Sequence, residues 1–246
     1  MNKSIDKTTM MGNEKIESLL LKLSLPAIIG LMITAIYNIV DTLFVSKLGT
    51  SAVGAASIAY PLFLIIAAVG LMFGVGAASY ISRLLGANDK EKANQAATTT
   101  VITGAIMALL LTIVLLVFMN PLLKLLGASA TIITYALDYS KALAIGSVFT
   151  ILNMILNNIL RAEGNAKYSM FGLLTGALLN IALDPLFIFT FSMGIKGAAI
   201  ATVISQFIST LVLFSFFLRK KTNLRLQASY IFINSNLYFE ISKIGI

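Results

Sequence analysis

Apolar runs of about twenty residues or more alternate along the chain with short polar or charged clusters. They fall at residues 23–45, 53–82, 95–118, 131–157, 168–190 and 197–218. About 20 apolar residues are what an α-helix needs to cross a bilayer, whereas barrel strands would be about 10 residues long with strict alternation. The pattern predicts an all-α integral membrane fold of six transmembrane helices joined by short loops. The small-residue run SAVGAAS after the first stretch resembles a signal-peptide cleavage region. The stretch itself is too long for a signal h-region and contains Pro26, Tyr37, Asn38 and Asp41, so it reads as a retained helix.

Polar positions inside the apolar runs carry the chemistry, because a charge at bilayer depth is costly and by default marks an ion or proton pathway. The first run contains Asp41, in YNIVDTLF, and the fifth contains Asp184, in NIALDPLF. Thr34, Tyr37, Asn38 and Asp41 stand at helical spacing and share one face. With helix 1 running outward, Asp41 lies roughly 6 Å below the outer boundary and Asp184 of helix 5 roughly 9 Å down, with Asn180 one turn deeper on the same face. The stripe Thr202, Ser205, Gln206 and Ser209 of helix 6 starts roughly 8 Å from that side, so three helices offer oxygen ligands at one depth. Asn180 and Thr202 read equally well as ligands or as hydrogen-bonding glue between helices. Pro185 cannot bond back to the carbonyl of Ile181, which predicts a kink beside the acid and a freed carbonyl. Asp138 and Lys141 read as an ion pair near the outer end of helix 4. Thr150, Asn153 and Asn157 share a face of that helix and by themselves read as interhelix hydrogen bonds. Gly70, Gly74 and Gly76 in helix 2, and Gly172 and Gly176 in helix 5, have the spacing for close helix approach.

Composition narrows the classes further. The 246 residues are 58% hydrophobic and 11% charged, with a mean hydropathy of +0.93, far from a soluble domain. The absence of Cys and His excludes disulfides, thiolate or imidazole metal sites and Cys or His nucleophiles. The formal charge of +8 could suggest a nucleic-acid partner, but it alternates by loop. With the N-terminus inside, Lys3, Lys7, Lys15, Lys22, Arg83, Lys90, Lys92, Arg161, Lys167, Arg219, Lys220, Lys221 and Arg225 are cytoplasmic. Lys47, Lys124, Lys141 and Lys196 fall outside. This positive-inside asymmetry makes the basic residues topology signals and predicts a multi-pass protein of the plasma membrane with cytoplasmic termini and no nucleic-acid partner.

The entry to helix 1, KLSLP at Lys22 to Pro26, is echoed by KIGI at Lys243 to Ile246, so the chain ends as a second copy of the unit would begin in the same orientation. Three segments follow: 1–22 as a cytoplasmic N-terminal segment, 23–218 as a six-helix transmembrane lobe, and 219–246 as a cytoplasmic linker ending at the start of a missing seventh helix.

Residues 20 to 221 resemble the N-terminal half of multidrug and toxic compound extrusion (MATE) transporters. The carriers are LSLPAIIGLMITAIYNIVDTLFVSKLG, GVGAASYISRLLGAND, LRAEGNAK, NIALDPLFIF and GIKGAAIAT. The resemblance implies one lobe of a twelve-helix, two-lobe antiporter that exports organic cations against Na+ or H+ and needs no cofactor beyond the coupling ion. It implies a cation site, with possible Na+ ligation, at Asp41, Asn180, Asp184 and Thr202, and a substrate-lining role for Tyr37, Asn153 and Asn157. It implies as partners the bilayer, cationic organic small molecules and a C-terminal six-helix lobe absent from this chain, without which the chain is expected to be inactive. Ala166 stands where the family's loop often has proline. Three rivals are weighed against export. An intramembrane aspartyl protease would carry GxGD where LD stands at Asp184. A flippase for lipid-linked precursors would favour cationic residues in its cavity, and Lys141 alone lies inside a helix. A non-transporting assembly fragment would need a partner to be monodisperse. Transport, not enzymatic chemistry, is the expectation.

Overall fold

A computed structural model describes residues 16–231. The N-terminal residues with Lys3, Lys7 and Lys15, and the KIGI stretch expected to open a seventh helix, lie outside the described residues. Among the described residues six long helices run in alternating directions: α1 Ile16–Ser46, α2 Thr50–Gly86, α3 Lys90–Leu125, α4 Ile133–Ala162, α5 Ala166–Pro185 and α6 Gly194–Leu218. Each is long and apolar enough to cross a membrane, α5 together with the turn that follows it. Most overrun the apolar runs that predict them, because lipid limits the apolar run while the backbone ladder continues through good helix formers such as the Lys90, Glu91, Lys92 opening of α3. We call the end at which α1 starts the basic end, since Arg83, Lys90, Lys92, Arg161, Lys167 and Arg219 gather there.

Local chemistry explains the joints. Gly49, at φ +100°, closes the tight link from α1 to α2 in a backbone region that disfavours a side chain. Asp89 caps α3 by accepting from the backbone N–H of Lys92 at 3.1 Å, and the Lys92 ammonium lies 2.9 Å from its carboxylate. That hydrogen bond and charge hold the Asp89 carboxyl below its ordinary pKa. Ala166 is the first helical residue of α5, a position where proline also fits, so the departure from the family's loop leaves the helix start intact. After Pro185 the chain does not break. It widens into a π-helical turn, Leu186–Thr190, in which Phe191 N–H donates to Leu186 C=O at 2.9 Å. The distortion expected from Pro185 is thus absorbed as a turn of larger radius, while the Ile181 carbonyl still lacks its helical donor.

α4 is the axis of the lobe, packed against α2, α3 and α6, and carries the fully buried Ile151, Ile155, Leu156, Ile159 and Leu160. Small residues let its neighbours approach. A Cβ on Gly74 of α2 would lie 2.8 Å from the Asn158 amide nitrogen and 3.2 Å from the Met154 carbonyl, and one on Gly172 of α5 would lie 2.3 Å from a Leu213 methyl of α6. The expected close approach of α2 and α5 is therefore observed, with α4 and α6 respectively. α1 is attached differently. It packs mainly on α5, touches α2 little, and leaves a long row exposed that includes Leu21, Leu25, Ile28, Met32, Ile36 and Ile39.

Beyond α6 the chain folds back over the basic end. Leu224 is buried, and the N–H groups of Asn223 and Leu224 both donate to Glu163 Oε2 at 3.0 Å. The side-chain amide of Asn165 donates to the other Glu163 oxygen, and Arg225 N–H donates to Asn94 Oδ1 at 2.8 Å. Glu163 is completely buried, at the turn between α4 and α5, with both oxygens engaged.

Candidate cation site and its cavity

The distal halves of α1, α5 and α6 meet around Asp184, which has 0% exposure. Asn180 stands one turn before it on α5. Its amide donates to Asp184 Oδ1 at 3.2 Å and lies 3.3 Å from Thr202 Oγ1 of α6, which donates to the Ala198 carbonyl at 3.1 Å. α6 reaches this close because Gly197 has no Cβ; one there would lie 2.6 Å from the Phe187 carbonyl in the π-helical turn. Asp41 of α1 completes the group, with its carboxyl close enough to that of Asp184 for the two to interact. The structure thus brings together Asp41, Asn180, Asp184 and Thr202.

What these groups lack is as informative as what they have. Asp41 Oδ1, Asn180 Oδ1 and Asp184 Oδ2 are all buried and, among the described residues, none has a hydrogen-bond partner. All three are acceptors, and buried polar atoms in folded proteins are nearly always satisfied. The donor set of two carboxylates, an amide carbonyl and a hydroxyl matches a hard cation or a proton.

In front of the acids lies a cavity of about 550 Å³ between α1 and α2. Asp41 and Thr202 form part of its wall, with Tyr37 and Asn38 of α1, Tyr60 and Phe63 of α2 and Tyr139 of α4. Tyr37 and Tyr139 also stand close enough to both acids to interact with them electrostatically. Asn180 and Asp184 are not among the lining residues and sit behind Asp41.

Asn153 and Asn157 occupy another place. Asn153 donates to Ser209 Oγ at 2.6 Å, Asn157 donates to Asn153 Oδ1 at 2.8 Å, Ser169 donates to Asn157 Oδ1 at 2.7 Å, and Ser209 donates to the Gly172 carbonyl at 2.7 Å. This buried chain ties α4, α5 and α6 together, and neither asparagine lines the cavity. Of the α6 stripe, Ser209 joins that chain and Ser205 Oγ has no partner. The expected Asp138–Lys141 pair does not form. Both side chains are exposed, and among the described residues no ion pair joins them, since a solvated pair gains too little to hold two side chains still.

Sequence reasoning passed over Tyr139, Tyr60, Phe63 and Glu163. An aromatic side chain in an apolar run has no periodic signal that separates a cavity wall from a lipid face, and a glutamate in a polar turn is ordinarily solvated.

The MatE family profile matches residues 26–186. The chain belongs to the MatE family. It is 33% identical over 223 residues to the multidrug export protein MepA of Staphylococcus saprophyticus, covering 90% of this chain and 49% of that protein. It is 35% identical over 224 residues to the MepA of Staphylococcus aureus strain NCTC 8325, covering 91% of this chain and 50% of the relative. Among solved structures, an outward-facing multidrug resistance MATE family transporter of the MOP superfamily superposes with a TM-score of 0.91 at 30% identity. The match covers 100% of this chain and 54% of that one. A MOP superfamily transporter from Pyrococcus furiosus matches with the same TM-score and coverage. This MatE chain therefore spans about half the length of its relatives and corresponds to the N-lobe of a two-lobe, twelve-helix architecture. Proteins of the family are transporters and not enzymes, which removes the aspartyl protease reading.

Proposed function

We propose that the chain is the N-terminal lobe of a secondary active exporter that moves organic cations outward against an inward flow of Na+ or H+. The observation that carries the reading is the set of donor-free acceptor oxygens on Asp41, Asn180 and Asp184 behind a cavity of small-molecule size. Desolvated acceptors without donors are costly, and a cation or proton relieves that cost. Two adjoining carboxyls in a low dielectric do not both stay ionised without a counter-charge, so the pair holds one positive charge between them. Asn180 and Thr202 orient that site, the amide by holding Asp184 and the hydroxyl by presenting its lone pairs.

Asp41 belongs to both the ion site and the cavity wall, so drug and coupling ion draw on one negative charge. Occupancy by the ion weakens the hold on the drug, and reciprocally. α1 rests mainly on α5 and can re-pair with α5 and α6 as the charge on Asp41 changes. Tyr37 contacts the drug, while Asn153 and Asn157 hold together the helices of the lobe without touching the drug. The basic end faces the cytoplasm in the plasma membrane, and a second six-helix lobe closes the transport path. Among the described residues the cavity wall holds an acid and no Lys or Arg, which disfavours the anionic headgroup of a lipid-linked precursor.

The test is ethidium efflux from drug-sensitive bacteria expressing the chain alone or with a matching C-lobe. The reading expects efflux driven by a Na+ or H+ gradient from the pair, none from the chain alone, and none from the pair carrying Asp41→Asn. Efflux by the Asp41→Asn pair at the parental rate refutes it.

A further inference from the structure

The wall of the cavity opposite Asp41 has a composition that the ion site does not require. On α2, Tyr60 and Phe63 stand one turn apart with ring centroids 6.3 Å apart and planes inclined by only 27°, a near-parallel pair that places two aromatic rings together on one stretch of the wall. Both line the cavity, yet Tyr60 remains 58% exposed among the described residues, so much of its ring is open to the cavity and its surroundings. Between them is Pro61, which has no N–H for the carbonyl of Ser57, and Ser57 lines the same wall. α1 and α2 touch little, so the acid on one helix and the rings on the other are held apart by open volume. A carboxylate on one side and an aromatic pair on the other define a complementary shape. It suits a flat, ring-bearing cation whose ring lies on α2 and whose charge turns toward Asp41.

We propose that Tyr60 and Phe63 determine substrate selectivity, favouring planar aromatic cations over ring-free cations of similar size. The proposal rests on the exporter reading and adds to it the residues that choose among cations. Tyr60 and Phe63 act by offering π-face to a ring, a contribution that an aliphatic side chain of similar bulk does not make. Asp41 attracts any cation, whatever its shape, so affinity and selectivity reside on opposite walls.

The experiment measures binding to the purified chain in lipid nanodiscs, with ethidium as the planar probe, followed by its fluorescence, and tetrabutylammonium as the ring-free competitor. Tyr60→Leu and Phe63→Leu keep apolar bulk and remove one ring each. Each should lower the preference for ethidium over tetrabutylammonium about fivefold, and the double variant more than tenfold, as expected for loss of ring stacking. Tyr60→Phe keeps the ring and should retain the parental preference, which excludes misfolding as the cause. Two results overturn the proposal: a preference within about twofold of the parent in the double variant, or equal losses for both probes. The Asp41→Asn variant separates the two levels. If it abolishes binding of both probes while the ring variants change nothing, the selectivity proposal fails and the exporter reading stands. If the parent chain binds neither probe, or Asp41→Asn binds both as the parent does, both fail together.

Discussion

Replacing Asp41 by asparagine, alone and with Asp184→Asn, tests whether the two acids form one device. Asparagine is nearly isosteric, so α1 keeps its seat on α5 while the site loses one charge and one acceptor. Two unit charges about 4 Å apart interact by about 4 kcal/mol at an effective dielectric near 20, so removing one carboxylate should weaken Na+ binding by about a thousandfold. The new amide also donates, and Asp184 Oδ2 is a buried acceptor without a partner beside it. A hydrogen bond there engages the second carboxylate as a ligand, so adding Asp184→Asn should cost less than a further tenfold, whereas independent sites would multiply to about a millionfold. The assay is radioactive Na+ binding to the purified chain, with proton release on titration read in parallel for a proton-coupled site. Stability should move the other way. Each single variant supplies a donor to an orphaned buried oxygen, so without ions it should melt about 2–4 °C higher for each kcal/mol regained. Multiplicative losses, or singles that each lose half the signal while coupled export persists in a complete transporter, would refute the reasoning.

Three further outcomes are expected. Glu163→Ala removes the acceptor to which the N–H groups of Asn223 and Leu224 and the Asn165 amide donate; at about 1–3 kcal/mol for the loss of a buried charged hydrogen-bond acceptor it should lower melting and speed protease cleavage within 219–231, and unchanged cleavage would contradict the clamp. Asn157→Ala breaks two links of the chain joining α4, α5 and α6; it should cost about 1–2 kcal/mol of stability with ethidium affinity within about twofold of the parent, while lost affinity at unchanged melting would place Asn157 in direct contact with substrate. Cysteines placed at Asn88 and Thr50, at opposite ends of α2, should react with an impermeant thiol reagent from opposite sides of the membrane, and labelling of both from outside would reverse the topology argument.

The parts of this protein that lipid physics dictates were legible from residues alone. Backbone groups in hydrocarbon must bond internally and a span needs about 20 apolar residues, so six apolar runs become six helices whatever they pack against. The cost of a buried charge singles out Asp41 and Asp184 just as directly. Helical spacing put Tyr37 on the face of Asp41 and Asn180 on the face of Asp184, and the glycines of α2 and α5 marked where helices approach. Periodicity assigns a face to each helix and not the partner of that face. In a bilayer the apolar surface of every helix is equally content in lipid, so association is decided by close packing and interhelix hydrogen bonds. Only the tertiary structure could therefore make α4 the axis, commit Asn153 and Asn157 to a chain with Ser209 and Ser169, and set Tyr60 and Phe63 across an open cavity from Asp41. Glu163 shows the same limit at the basic end. Its sequence neighbourhood is a polar turn, and what buries it is the returning chain around Leu224, brought from 60 residues further along, whose N–H groups donate to it.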